Sequence, residues 1–118
     1  QTLRDIMPMD VAKELTFTGR ILNGEQAKEV GLVTRVSDDP FAEAMALAEE
    51  IAGKNPDAVR AGKALYEQAW HADARKGLEL EAALQAELIG TANQIEAVKA
   101  NFEKRAPSFQ PASRTERV

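Results

Sequence analysis

A single histidine, His71, and the lack of any cysteine set the first limit on what this chain can do chemically. Metal sites draw three or four His, Cys or carboxylate donors from recurring spacings, and nothing here pairs with His71 in that way, so no metal ligands are assigned. One histidine also gives no spacing logic for a Ser-His-Asp arrangement. His71 is expected at a surface or interface near a helix break, with Trp70 beside it as a packing anchor. Without cysteine there are no disulfides and no thiolate chemistry, which suits a reducing compartment, and a cytoplasmic location is expected. Glu79, Glu81 and Glu87 supply carboxylates, but such runs are commonplace on helices and read as a solvated face rather than an acid/base pair. Gly19, Gly24 and Gly31 each fall at a helix end, which accounts for them without a phosphate loop. No catalytic residue is assigned.

The elements carrying these residues are short. Pro8 fits the first turn of a helix bearing Val11, Ala12 and Leu15, and Gly19 stops it. Asn23-Gly24-Glu25-Gln26 has capping-box form, and Gly31 closes the short helix it opens. Leu32-Val33-Thr34-Arg35-Val36 is the one β-like run, ended by Ser37-Asp38-Asp39-Pro40. Asp39 and Pro40 begin a helix whose apolar stripe is Phe41, Ala44, Met45, Ala48, Ile51 and Ala52. Asn55-Pro56-Asp57 repeats the cap-plus-proline signal for a helix carrying Val59, Leu65 and Ala69. After a break near His71, Leu80, Leu84 and Leu88 recur every four residues until Gly90. Thr91-Ala92-Asn93-Gln94 is a second capping box, leading into Ile95, Val98 and Phe102. From Pro107 the chain reads as an extended, frayed tail.

Composition places this string of helices among ordinary globular proteins. Apolar residues make up 44% and charged residues 29% of the 118 residues, which excludes a disordered chain. Aromatics are only 5%, so the apolar faces are built from Ala, Leu, Val and Ile and bury little area each. Neighbouring elements or subunits are therefore expected to complete the core. A net charge of −4 gives no field for nucleic acid. No apolar run approaches the roughly 20 residues that span a bilayer, and the first residues do not read as a signal peptide.

Two stretches resemble a known family. Ala12-Lys13-Glu14-Leu15, Thr18-Gly19-Arg20, Gln26-Ala27, Gly31-Leu32-Val33 and Val36 are similar to a central segment of the crotonase superfamily, the enoyl-CoA hydratase/isomerase group. Glu96-Ala97, then Phe102-Glu103-Lys104-Arg105 and Pro107, resemble its final helix. The likeness covers roughly residues 3–109. It implies a mainly α chain, the C-terminal helical region of a crotonase-like (ClpP/crotonase) fold with one or two short strands and without the ββα-spiral core. Residues 1–37 would be the end of the spiral-core region, 38–109 the helical and oligomerisation region, and 110–118 a flexible tail.

The same resemblance implies site residues. Lys104 inherits a CoA-binding role at the nucleotide end, where an ammonium on a long stem acts as a point charge; as a plain residue it would be a solvated lysine favourable to the helix dipole. Asn101 stands where several members carry a phenylalanine near the adenine, and Phe102 comes one position later, about 100° further round the helix. Leu15 and Phe17 would lie near the acyl end of the pocket, although core residues would look identical. The family's enolate-stabilising N–H donors and proton-moving carboxylates have no counterpart in this chain. The expectation is part of a protein acting on acyl-CoA thioesters, inactive alone, with coenzyme A as a substrate moiety and no other cofactor. A non-enzymatic helical assembly module is the alternative. A homo-oligomer is expected, the family's trimer or hexamer, with Leu80, Leu84 and Leu88 at the interface and an N-terminal half as a further partner; neither nucleic acid nor membrane is expected.

Overall fold

The computed structural model describes residues 2–112. Within them a 3-10 turn, Thr2–Asp5, precedes α1 (Met9–Thr18), α2 (Gly24–Glu29), α3 (Pro40–Ala52), α4 (Pro56–Ala69), α5 (Ala74–Leu88) and α6 (Ala92–Glu103). The chain divides into two compact units, Gln1–Met45 and Ala46–Val118.

In the first unit, Pro8 stands just before α1 rather than inside its first turn, with φ −58° and ψ 148°. The helix stops at Gly19, whose left-handed backbone sends its N–H back to the Leu15 carbonyl at 3.0 Å. Asn23 then opens α2 through the reciprocal box its sequence calls for: Gln26 N–H donates to Asn23 Oδ1 at 2.9 Å, and Asn23 N–H donates to Gln26 Oε1 at 3.1 Å. Gly31 follows with φ 83°, where an added Cβ would lie 2.8 Å from the Ile6 carbonyl oxygen. Glycine is needed there twice over, for the left-handed turn and for the close approach of the Ile6 backbone. Next to Ile6, Met7 is the buried apolar residue of this unit.

The expected strand does not form. Residues 32–36 are irregular, and no strand occurs among the described residues. β-branched composition makes such a run able to pair, but a ladder needs a second strand alongside, and Leu32, Val33 and Val36 stay exposed. The helical expectation holds throughout.

α3 begins as its sequence requires, with Ala42 N–H donating to Asp39 Oδ1 at 3.0 Å. Its apolar stripe lies open: every residue of α3 is exposed, Phe41, Met45 and Ile51 included. Periodicity specifies which face is apolar, and the described residues hold nothing that covers it.

The second unit is organised around α4. Asn55 Oδ1 accepts from Asp57 and Ala58 N–H at 3.0 and 3.3 Å and starts the helix. α5 starts at Asp73, whose Oδ1 accepts from Lys76 N–H at 3.0 Å; this cap falls in the break expected near His71. α4 packs on α5 and on α6. Gly77 permits the first of these contacts, because a Cβ there would already meet the Ala69 Cβ at 3.7 Å. α6 opens at Thr91, whose hydroxyl accepts from Gln94 N–H at 3.3 Å. The reciprocal half of this box differs from expectation. Gln94 Oε1 takes the Gly90 N–H at 3.1 Å, since Thr91 N–H is already given to the Leu88 carbonyl at 3.2 Å. No helix among the described residues is long and apolar enough to cross a membrane.

Candidate functional site

Asn93, only 4% exposed, is the node that draws the segment around Gln110 onto the helices. Its amide nitrogen donates to Asp57 Oδ2 at 2.7 Å and to the Gln110 carbonyl at 3.1 Å, while its Oδ1 accepts the Gln110 N–H at 2.8 Å. Both amide protons and the carbonyl oxygen are thus used, which a buried Asn requires. The segment after α6 is extended, as its prolines suggest, but it is not frayed as far as Gln110. Main-chain hydrogen bonds to side chains of α6 hold it, and the rest of the expected tail, from residue 113, lies outside the described residues.

Between α6 and this pinned segment sits a compact charge cluster. Arg105 grips both oxygens of Glu96, Nη1 to Oε1 at 2.6 Å and Nη2 to Oε2 at 2.9 Å. Its Nε donates to Glu103 Oε2 at 2.6 Å, and its Nη1 also reaches the Ala106 carbonyl at 3.1 Å. Ser108 N–H adds a 2.7 Å bond to Glu96 Oε1. The Arg105 guanidinium first, and then the Ser108 N–H, hold the Glu96 carboxyl down at about 2 from its ordinary 4.5. In return Glu96, followed by Glu103, raises Arg105 further above its usual value. Lys99 lies 3.9 Å from Glu103, a loose surface pair.

Lys104 stands in the middle of this cluster and outside its pairing. It is the C-cap of α6, with φ 53° and ψ 42°. Lys104 N–H bonds the Asn101 carbonyl at 3.3 Å and Arg105 N–H the Ala100 carbonyl at 3.0 Å, the hydrogen-bond pattern of a left-handed helix stop. It is the one non-glycine residue with positive φ among the described residues. Its side chain is exposed and makes no ion pair or hydrogen bond among them. Among the described residues the arrangement leaves the Lys104 ammonium unpaired at the exit of a helix, suited chemically to an anion from solvent.

The other sequence-derived positions fall elsewhere. Leu15 and Phe17 lie near the end of α1, in the first unit; Leu15 is half-buried, whereas Phe17 is 80% exposed and is no core residue of the described chain. Asn101 and Phe102 are both exposed, Phe102 by 81%. Leu80, Leu84 and Leu88 are half-buried on α5. The more open apolar surface of this unit is a groove of about 320 Å³ between α4 and α5, lined by Leu65, Tyr66, Ala69, Trp70, Gly77 and Leu78 among others. Trp70 is not the buried anchor expected: it is exposed and stacks edge-on against Tyr66, ring centroids 5.9 Å apart. The spacing of Tyr66 and Trp70, one helical turn, signals that pair in the sequence. His71 is exposed in the break between α4 and α5. No group of three or more His, Cys, Asp or Glu residues placed to hold a metal occurs among the described residues.

Glu96, Arg105, Asn93 and Gln110 went unassigned from sequence. Glu96 and Arg105 are nine positions apart across a helix stop, and Asn93 and Gln110 seventeen, so no periodic spacing marks them as partners.

Comparison with known proteins bears on this arrangement. The enoyl-CoA hydratase/isomerase family matches residues 1–112. The mouse mitochondrial enoyl-CoA hydratase domain-containing protein 2 is 39% identical over 115 residues, 92% of this chain and 39% of that protein. Mouse mitochondrial methylglutaconyl-CoA hydratase is 35% identical over 116 residues, 93% of this chain and 37% of that protein. Among solved structures, an enoyl-CoA hydratase from Bacillus anthracis superposes with a TM-score of 0.86 at 34% identity, over 92% of this chain and 43% of that one. The chain spans about two fifths of the length of these relatives.

Proposed function

The chain belongs to the enoyl-CoA hydratase/isomerase family, and from that premise we propose that it is the C-terminal helical part of a protein acting on acyl-CoA thioesters. In this reading Lys104 meets the phosphate-bearing nucleotide end of CoA, and the region of Leu15 and Phe17 lies towards the acyl end. The exposed stripe of α3 and the α4–α5 groove are faces for the remainder of the fold and for further copies of the chain. The observation that carries the reading is the charge arithmetic at the end of α6. Glu96 and Glu103 are taken up by Arg105, and Lys104 is left to bind an anion.

These residues bind and orient; they do not perform proton transfer or stabilise an enolate. Enolate chemistry needs N–H donors aimed at the thioester oxygen and a carboxylate within reach of the moving proton. The Glu96 carboxyl is locked to Arg105 and held ionised, so it is not free to act as an acid or base. We expect the chain by itself not to hydrate crotonyl-CoA.

Calorimetric titration with CoA tests the binding role. The wild-type chain is expected to bind weakly, because an incomplete pocket leaves most of the cost of association unmatched, and Lys104→Ala is expected to bind about fivefold more weakly still, the scale of one exposed ion pair. Equal affinities for the two chains would remove Lys104 from the site.

A further inference from the structure

A solvated lysine at a helix C-terminus needs none of the apparatus around Lys104. The dipole favours a cation anywhere in the last turn, and a left-handed stop is ordinarily given to glycine, which adopts it without a Cβ clash. Non-glycine residues persist in that region where the surrounding structure over-determines them, and such positions cluster at ligand clamps.

Here the surroundings do over-determine it. Arg105, the next residue, is tied to Glu96 by two hydrogen bonds and to Glu103 by a third. Glu96 is fixed in turn by the Ser108 N–H, on the far side of the turn. Residues 105 and 108 are therefore anchored to one carboxylate on α6, with Lys104 at the bend between helix and anchor. The planar guanidinium fork makes that anchor directional in a way an ammonium would not. The anchor also decides which cation is free, since Arg105 is consumed and Lys104 is not.

We propose that Glu96 and Arg105 are positioning residues for Lys104: their bidentate pair, buttressed by Ser108 N–H, holds Lys104 in its left-handed conformation and presents its ammonium, unpaired among the described residues, to the phosphates of CoA. The proposal rests on the CoA-end reading of Lys104 given above.

The test is a double-mutant cycle read by calorimetry with free CoA, on the full chain, using wild type, Glu96→Gln, Lys104→Ala and the double variant. Glu96→Gln is expected to weaken CoA binding about fivefold in the Lys104 background and to have no effect once Lys104 is Ala, because its action passes through that side chain. The backbone H–N–Cα–H coupling and Cα shift of Lys104, measured by NMR, are expected to lose their left-handed signature in Glu96→Gln. Arg105→Lys, which keeps the charge but not the fork, is expected to behave like Glu96→Gln, and it takes that variant's place in the cycle should Glu96→Gln fail to fold. Unchanged CoA affinity in Glu96→Gln with weakened binding in Lys104→Ala overturns the positioning role and leaves the CoA-end reading standing. A loss in Glu96→Gln that persists undiminished in the Lys104→Ala background, or a preserved left-handed signature in both clamp variants, overturns it as well. A chain that binds no CoA, or binds it equally with Lys104→Ala, overturns the CoA-end reading and the positioning role together.

Discussion

Replacing Lys104 by glycine should make the protein more stable and a poorer binder at once. At φ 53° and ψ 42° a side chain with a Cβ crowds its own backbone, at a cost of about 1–2 kcal/mol. Glycine removes that cost but brings a more flexible unfolded chain, which returns roughly 0.5–1 kcal/mol. The net expectation is a gain of about 0.5–1 kcal/mol, or several degrees in Tm at this domain size. Lys104→Ala separates the two contributions. Alanine keeps the Cβ and therefore the strain, so its stability should stay close to wild type while its CoA affinity falls with that of the glycine variant. Urea unfolding followed by circular dichroism, with calorimetric titration on the same samples, reads both quantities. A glycine variant no more stable than wild type would refute the strain argument. A glycine variant that kept full CoA affinity would refute the idea that a lysine is held in this conformation for its charge.

Three further outcomes follow from the geometry. Asn93→Ala should lower stability by about 1–2 kcal/mol, because it removes a buried amide that bonds Asp57 and both main-chain groups of Gln110; hydrogen exchange at the Gln110 amide should accelerate sharply, and an unchanged rate would show that the segment after α6 is held some other way. Glu96 should titrate near 2 rather than 4.5, read from its side-chain carboxyl carbon shift. Its pKa is depressed on folding, so the stability it contributes is complete above about 4.5 and is lost as pH falls from there towards 2; a midpoint near 4.5 would mean the Arg105 grip is loose in solution. For assembly, Leu78 and Trp70 are more open than Leu84 and Leu88, so Leu78→Asp should shift sedimentation towards monomer more than Leu84→Asp does. The reverse order, or no shift from either, would take the α4–α5 groove out of the interface.

The helices and their ends were legible in the amino-acid sequence because the forces that set them act within four residues. Asn23, Asp39, Asn55 and Thr91 each cap the helix that follows, and Gly19, Gly31 and Gly90 each take the left-handed turn at its end. Residue type alone specifies such bonds: a short acceptor side chain two or three positions before a free N–H, and no Cβ where φ is positive. The motifs around Gly31 and Lys104 likewise carried the family likeness. The strand expected at residues 32–36 failed, because propensity is local and a ladder is not; it depends on a neighbour the described residues do not supply. The apolar stripe of α3 was readable, but whether anything covers it was not. The clamp on Lys104 belongs to tertiary structure entirely. Glu96 meets Arg105 only because the left-handed stop reverses the chain, and Asn93 meets Asp57 only because α4 packs on α6 across 36 positions of sequence. Pairs so far apart have no shared period to announce them, and each is made when packing brings two segments within the 3 Å that a hydrogen bond needs.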